Sequence, residues 1–284
     1  MLVPLKEVLN DARKNKYAVP AFDCVNDIMV RTILDTAEQE NSPVILMCLE
    51  HNLNEPKGFV YLAEYIKAVV SFYQIPIVLH LDHAMDLELV KKAVQFGFTS
   101  VMIDGSSLPL EENMAITREV VKYVQQHGIS VEAELGHVGG HELGGTYASD
   151  SKLTEPSQVE TFVQKTGVDA LAVSIGTSHG IYHSEPDLNI IRTKEINDVS
   201  PVPLVLHGGS GTPNVQLKEV ITNGISKINL YADCRVAMAK GMKEAAAAIN
   251  RVDPLPEEMF RPITQALAAV VKEKIHLFRS NNRT

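Results

Sequence analysis

Eight short apolar runs recur along the 284-residue chain: Ala18–Phe22, Pro43–Cys48, Pro76–Leu81, Ser100–Ile103, Ser130–Leu135, Ala170–Ile175, Pro203–Leu206 and Lys227–Leu230. They start at intervals of about 30 residues, the length of one strand–helix unit. Several are apolar throughout rather than alternating, as in VILMC and LVL, the pattern of strands buried on both faces. Eight such strands alternating with helices predict an α/β fold, a (β/α)8 TIM barrel. An open, doubly wound sheet is the alternative. It usually carries a glycine-rich phosphate turn after its first strand, and AFDCVND has none.

The intervening segments read as helices with recognisable ends. Asp86 is placed to cap LELVKKAVQF, which Gly97 closes. Pro109 with Glu111 and Glu112 opens the next helix, and Gly128 follows its end. Thr154 with Pro156 opens one that stops at Gly167, and Thr212 with Pro213 opens one that ends at Gly224. Gly136–Leu153 fits no short connection; it is long, polar and glycine-rich, as lids and binding loops are. Pro254–Phe278 ends in an amphipathic helix outside the barrel count, expected to cover the barrel bottom or to dock on a neighbour. With little length left over, residues 1–284 are expected to form a single domain.

Composition narrows the partners. There are 26 basic and 35 acidic residues, a net charge of −9, which argues against nucleic acid or an anionic membrane surface. A bound phosphate must then be held by backbone N–H groups and a few placed cations. Cys24, Cys48 and Cys234 form no CxxC pair, so reduced thiols are expected rather than a disulfide framework. MLVPLKEVLN lacks the apolar stretch of a signal peptide, and no apolar run approaches a membrane span. A cytoplasmic protein is expected.

In such a barrel, active groups sit at the C-terminal strand ends. His83, His179 and His207 follow three different strands. A catalytic zinc takes three protein ligands, often neutral imidazoles, and keeps one position open. Asp82 and Glu134 stand beside these histidines. Asp82 is placed either to move a proton next to a metal-bound substrate or to orient a histidine. His80 is a candidate to support the ligands from behind, while His137, His141 and His183 are left unassigned. Two turns, His179-Gly180 and His207-Gly208-Gly209-Ser210, offer backbone N–H groups and a hydroxyl to an anion. Glu142 lies in the long loop, where a proton donor can arrive as the loop closes.

Taken in order, HLDH, MIDGS, VEAELG, SIGTSHGIY, LVLHGGSG and KIN resemble the class II, zinc-dependent ketose-bisphosphate aldolases. The resemblance covers essentially the whole chain and is strongest to tagatose-bisphosphate and short fructose-bisphosphate aldolases. It implies reversible, zinc-dependent aldol cleavage of a ketose phosphate to dihydroxyacetone phosphate and an aldehyde. His83, His179 and His207 would hold Zn2+, with Glu134 and Asp104 as alternative or secondary ligands. Asp82 would take the proton from the substrate 4-hydroxyl, and Glu142 would protonate the ketone fragment. Gly180, Gly208, Gly209 and Ser210, with Asn229, Leu230, Tyr231 and Ala232, would contact the substrate and its phosphate. Their backbone would border a monovalent cation site (Na+ or K+). A homodimer or homotetramer is implied, and some tagatose-type relatives use a companion subunit. Zinc serves such cleavage as an electron sink, so no Schiff-base lysine is needed. The one lysine of the barrel strands, Lys227, stands early in its run.

The departures from the family pattern bear on substrate. Asp23 replaces a usual asparagine, and strand two ends Met47-Cys48-Leu49-Glu50 where a serine or threonine is common. His183-Ser184 follow Tyr182 where a lysine is frequent, and Leu230-Tyr231-Ala232-Asp233 follow Asn229 where the family tends to have a threonine that helps hold phosphate. The usual Asp-Pro-Arg before the last helix is absent, although Arg261 remains. Each lost charged hydrogen bond costs about 1.5–3 kcal/mol. A ketose phosphorylated at only one end is therefore an alternative substrate. Outside the family, a metal-dependent barrel hydrolase and a non-catalytic aldolase-complex subunit are the other readings.

Overall fold

The computed structural model describes residues 1–140, 151–180, 182 and 184–284. Eight parallel strands close in sequence order: β1 (Val19–Asp23), β2 (Val44–Leu49), β3 (Ile77–Ala84), β4 (Ser100–Ile103), β5 (Ser130–Leu135), β6 (Ala170–Val173), β7 (Leu204–Leu206) and β8 (Ile225–Leu230). Pairing of β1 with both β2 and β8 shuts the ring. Every residue of β1, β2 and β4–β8 is buried, which explains why β2, β6 and β7 read as unbroken apolar runs. The fold is the (β/α)8 barrel expected from the spacing.

The helices are α1 (Leu5–Asn15), α2 (Asp27–Gln39), α3 (Glu50–Asn54), α4 (Tyr65–Val70), α5 (Leu87–Gln95), α6 (Leu110–Val124), α7 (Pro156–Thr166), α8 (Ile190–Val199), α9 (Asn214–Thr222), α10 (Ala232–Ala248) and α11 (Pro256–Leu277). Asp86 caps α5 as expected, accepting from the Leu89 N–H at 2.9 Å. Gly167 ends α7 in the left-handed conformation. Thr154 differs from expectation: Glu155 occupies the cap position of α7. The Thr154 hydroxyl instead donates to the Leu135 carbonyl and accepts from Ser174 N–H, bridging β5 to the turn after β6.

The floor of the barrel belongs to α1, not to the C-terminal helix. Leu5, Val8, Leu9 and Ala12 pack with inward residues such as Val19, Ile45, Val78 and Val205 in a buried cluster. A single short apolar helix face suffices because the interior of an eight-stranded barrel is only wide enough to be filled by side chains. α10 and α11 instead form an antiparallel pair, with Lys274 bonded to Asp233 at 2.8 Å and Gly241 against Pro262 and Ile263. α11 also packs on α2. The tail then fastens to the N-terminal side of the strands: the Phe278 carbonyl accepts from Ala18 N–H, and Ser280 Oγ lies 2.7 Å from Ser42 Oγ. No helix among the described residues is long and apolar enough to cross a membrane.

Candidate active site

Adjacent residues of a strand normally point to opposite faces. Asp82 and His83 escape this rule. The β3–β4 register shifts between Leu81 and Ala84, and His83 takes a left-handed backbone with φ 48°. Such a bulge re-aims side chains, and a positive φ at a bulky residue is a strained state that persists only where its surroundings fix it. Here His83 Nε2 comes within 4.0 Å of Asp82 Oδ2, while its Nδ1 sits 2.9 Å from Asp104 Oδ2.

Three histidine rings meet at the C-terminal mouth of the barrel. Their centroids are 4.9 Å apart for His83–His179, 4.6 Å for His83–His207 and 5.8 Å for His179–His207. Each offers a ring nitrogen within 4.8 Å of the others, and His83, Asp104 and Glu134 form a second such group. His179 reaches the site on the turn after β6, and its N–H bonds to the Gly139 carbonyl at 2.8 Å. Gly140 lies against it so closely that a Cβ there would meet the His179 carbonyl oxygen at 2.5 Å. Glu134 Oε1 accepts from Val138 N–H at 2.8 Å, and its Oε2 lies 3.3 Å from His207 Nδ1.

The electrostatics suit a cation. Burial disfavours a charged His83, but Asp82, Asp104 and Glu134 outweigh it and hold its pKa well above the usual imidazole range. Burial, then the facing His83 and His207, push His179 well below it. Burial raises the Asp82 and Asp104 carboxyls, yet the neighbouring imidazoles hold both below the ordinary carboxylate value. His83 Nε2 is buried with no hydrogen-bond partner among the described residues. A buried polar atom left so costs about 1–3 kcal/mol, a cost that a bound metal ion removes. Three imidazoles edged by ionised carboxylates are a donor set that fits zinc with an open position.

Several of the other expected site residues lie on the neighbouring strand ends and turns. Asn229 Nδ2 donates to Asp82 Oδ1 at 3.3 Å. Ser210 Oγ accepts from the N–H groups of Tyr231 and Asp233 at 3.1 and 3.2 Å, drawing the β7 turn onto the junction of β8 and α10, where Leu230, Tyr231 and Ala232 lie. Gly208 has φ 65°, and a Cβ there would meet the Ser178 carbonyl at 2.3 Å, so only glycine lets the β6 and β7 turns touch. The Gly209 N–H is bonded to the Asn229 carbonyl at 3.1 Å. That bond diverts it from a ligand, and the residue serves to pack the turn on β8. Gly180 and Ser210 border a groove of about 430 Å³ that continues along α10 to Lys240 and Lys274. Asp23 is buried at the end of β1. Arg261 is not brought to the mouth within this chain: it is exposed on α11, paired with Glu257, beside the level of Gly241. Glu142, His141 and His183 lie outside the described residues.

Sequence reasoning missed several participants. Tyr182 OH accepts from Ser178 N–H at 2.8 Å and donates to the Gly208 carbonyl at 2.9 Å, pinning two turns together. His137 Nδ1 bonds Ser106 Oγ at 2.8 Å. Beneath the histidines, Glu132 and Lys227 are fully buried and paired at 2.7 Å. Burial pushes the Glu132 carboxyl up, but Lys227 and the His207 bond hold it below the ordinary value. The alternation of β5 and β8 carried the signal, since Glu132 shares a face with Glu134 and Lys227 with Asn229.

Comparison with known proteins identifies the family. The family model described as fructose-bisphosphate aldolase class-II matches residues 3–283. A fructose-bisphosphate aldolase of Staphylococcus aureus is 38% identical over 284 residues, covering 99% of each chain. One from Geobacillus stearothermophilus is 39% identical, covering 99% of this chain and 98% of its own. The crystal structure of the YdjI aldolase of Escherichia coli superposes with a TM-score of 0.88 at 33% identity, covering 100% of this chain and 99% of that one. With a closed barrel, a histidine cluster at its mouth and a match over nearly its full length, this chain belongs to the class II fructose-bisphosphate aldolase family, a family of carbon–carbon lyases.

Proposed function

We propose that the protein is a zinc-dependent aldolase that reversibly cleaves a ketose phosphate of the tagatose or fructose 1,6-bisphosphate type into dihydroxyacetone phosphate and an aldehyde. The convergence of His83, His179 and His207 from three separate strand ends, with Asp82 alongside, carries this reading. Those three residues would hold zinc, with Glu134 and Asp104 as alternative ligands. When bound, zinc supplies an electron sink for the charge that bond cleavage leaves on the ketone fragment. Asp82 accepts the proton of the 4-hydroxyl. Its carboxyl is held ionised, and Asn229 occupies Oδ1 and so leaves Oδ2 facing the centre. Glu142 is assigned the return of a proton to the ketone fragment. Gly180, Gly208 and Ser210, with Ala232 at the start of α10 beside Tyr231, would present hydroxyl and backbone donors to the phosphate. Residues 1–284 act as one unit in the cytoplasm in this reading, as a homo-oligomer. The assay is cleavage and condensation by the purified chain alone, before and after chelation and with zinc restored. Activity that survives chelation but is lost to borohydride in the presence of substrate would overturn the zinc assignment, and inactivity of the chain alone would call for a companion subunit.

A second reading has its own support. The cavity beside His83 and Asp104, about 330 Å³, is lined by Glu50, His51, Ser106 and His137 and, among the described residues, by no lysine or arginine. Such a wall favours a tail without a phosphate, and hence a ketose phosphorylated at one end only. A comparison of kcat/KM for 1,6-bisphosphates and 1-phosphates decides between them. Preference for a bisphosphate removes the second reading.

A further inference from the structure

Below the imidazoles lies a layer of buried charge for which the cleavage reaction has no direct use. Lys227 of β8 and Glu132 of β5 are both completely shielded from solvent. Glu132 uses both oxygens: Oε2 takes Lys227 Nζ at 2.7 Å, and Oε1 lies 2.9 Å from His207 Nε2. Lys227 Nζ also stands 3.3 Å from His80 Nε2, and His80 Nδ1 lies 2.8 Å from Ser100 Oγ. The chain of contacts thus runs Ser100–His80–Lys227–Glu132–His207, from the barrel wall to a residue of the histidine cluster.

The direction of each bond follows from chemistry. A carboxylate can only accept, so the Glu132–His207 contact requires the proton on His207 Nε2. An imidazole fixed in that form carries its lone pair on Nδ1. The rival arrangement would place the proton on Nδ1, towards Glu134 Oε2. That contact is longer, at 3.3 Å, and neither atom makes a hydrogen bond there. The lysine has a matching reason to be present, because a carboxylate taken wholly out of water needs a partner charge. Its amine is also occupied from below by Glu132 and His80, which leaves it no part as a Schiff-base nucleophile.

We propose that the Glu132–Lys227 pair is a positioning device for the metal centre: it locks His207 with its proton on Nε2 and so presents Nδ1 as a metal ligand. This rests on the zinc reading above. Carboxylates behind a ligand histidine typically change metal affinity by 10–100-fold when removed. The pair therefore acts on zinc retention and on the geometry of His207, without touching the substrate.

The test measures zinc affinity of the full-length enzyme by chelator competition, beginning with the wild type. Failure of the wild type to bind zinc would overturn the metal reading and this inference with it. Glu132→Ala and Lys227→Met should each weaken zinc binding by about 10–100-fold. The double variant Glu132→Gln with Lys227→Met should recover to within about threefold of wild type. In it the glutamine oxygen still accepts from His207, and its amide replaces the lysine as donor towards His80 Nε2, which stands 3.8 Å from Glu132 Oε2. A purely structural salt bridge predicts equal recovery in Glu132→Leu with Lys227→Met, which removes both charges but offers His207 no acceptor; the positioning role predicts none there. Nitrogen-resolved NMR of the zinc-loaded wild type needs no variant and should find a slowly exchanging proton on His207 Nε2. Unchanged affinity in both single variants, a double variant as weak as Lys227→Met, or a zinc-loaded His207 protonated on Nδ1 would each overturn the proposal.

Discussion

Asp82 and His83 show how one backbone distortion sets up two jobs. In a regular strand only one of them would face the mouth; the bulge and the left-handed φ of His83 bring both there. Asp82→Asn keeps the size and the bond from Asn229 in reach but removes the proton acceptor. Its kcat should fall by about 10²–10⁴-fold, with zinc content unchanged. A variant that instead loses zinc would mark Asp82 as a support of the histidines rather than the base. The cysteines give a second prediction of this kind. Cys24, Cys48 and Cys234 are buried free thiols, and burial pushes each of their pKa values up. A thiol that stays protonated and shielded is inert. The folded enzyme should resist alkylation, and all three should react once it is denatured, as mass spectrometry would show.

The connections do more to shape the site than the strands themselves. His179 lies beyond β6 and is held from outside the strand, by the Gly139 carbonyl and by Gly140 packed against its backbone. Gly140 has φ 93°, and a Cβ would come within 2.5 Å of the His179 oxygen. Gly140→Ala should therefore displace His179, lowering zinc affinity by about tenfold or more with only a modest loss of thermal stability. An unchanged affinity would show that His179 is positioned without this contact. These turns also mark the limit of what the sequence revealed. Strands buried on both faces announce themselves by composition, so their boundaries agree with the pattern to within a few residues. The meeting of His83, His179 and His207 followed from their strand-end positions. Tyr182 as a pin between turns, and α1 as the floor, depend on contacts between segments far apart in the chain. The Glu132–Lys227 layer was written in the strand alternation, but charged residues inside a barrel read as interruptions until a partner strand is known to face them.

At the scale of the whole barrel, the candidate ligands tie together distant parts of the ring. His83 lies on β3, His207 directly follows β7, and His179 stands on the connection between β6 and β7. A metal held by all three bridges opposite sides of a closed sheet, so its binding should be felt by the entire fold rather than by one loop. The acidic net charge of −9 and the ionised Asp82 and Asp104 around the imidazoles act in the same direction, since a divalent cation relieves local repulsion. A ligand that binds only the folded state stabilises it by RT ln(1 + [L]/Kd), about 2.7 kcal/mol at a free concentration one hundred times Kd. For a chain of this size that corresponds to a rise in Tm of roughly 4–5 °C. Zinc added to the chelated enzyme should produce such a rise together with recovery of aldol cleavage, and a stronger chelator should reverse both. His83→Ala should abolish the zinc-dependent part of the Tm while leaving the metal-free melting temperature within a few degrees. If zinc leaves the wild-type Tm unmoved, or raises that of His83→Ala equally, the ion binds elsewhere and the three-histidine centre is not its seat.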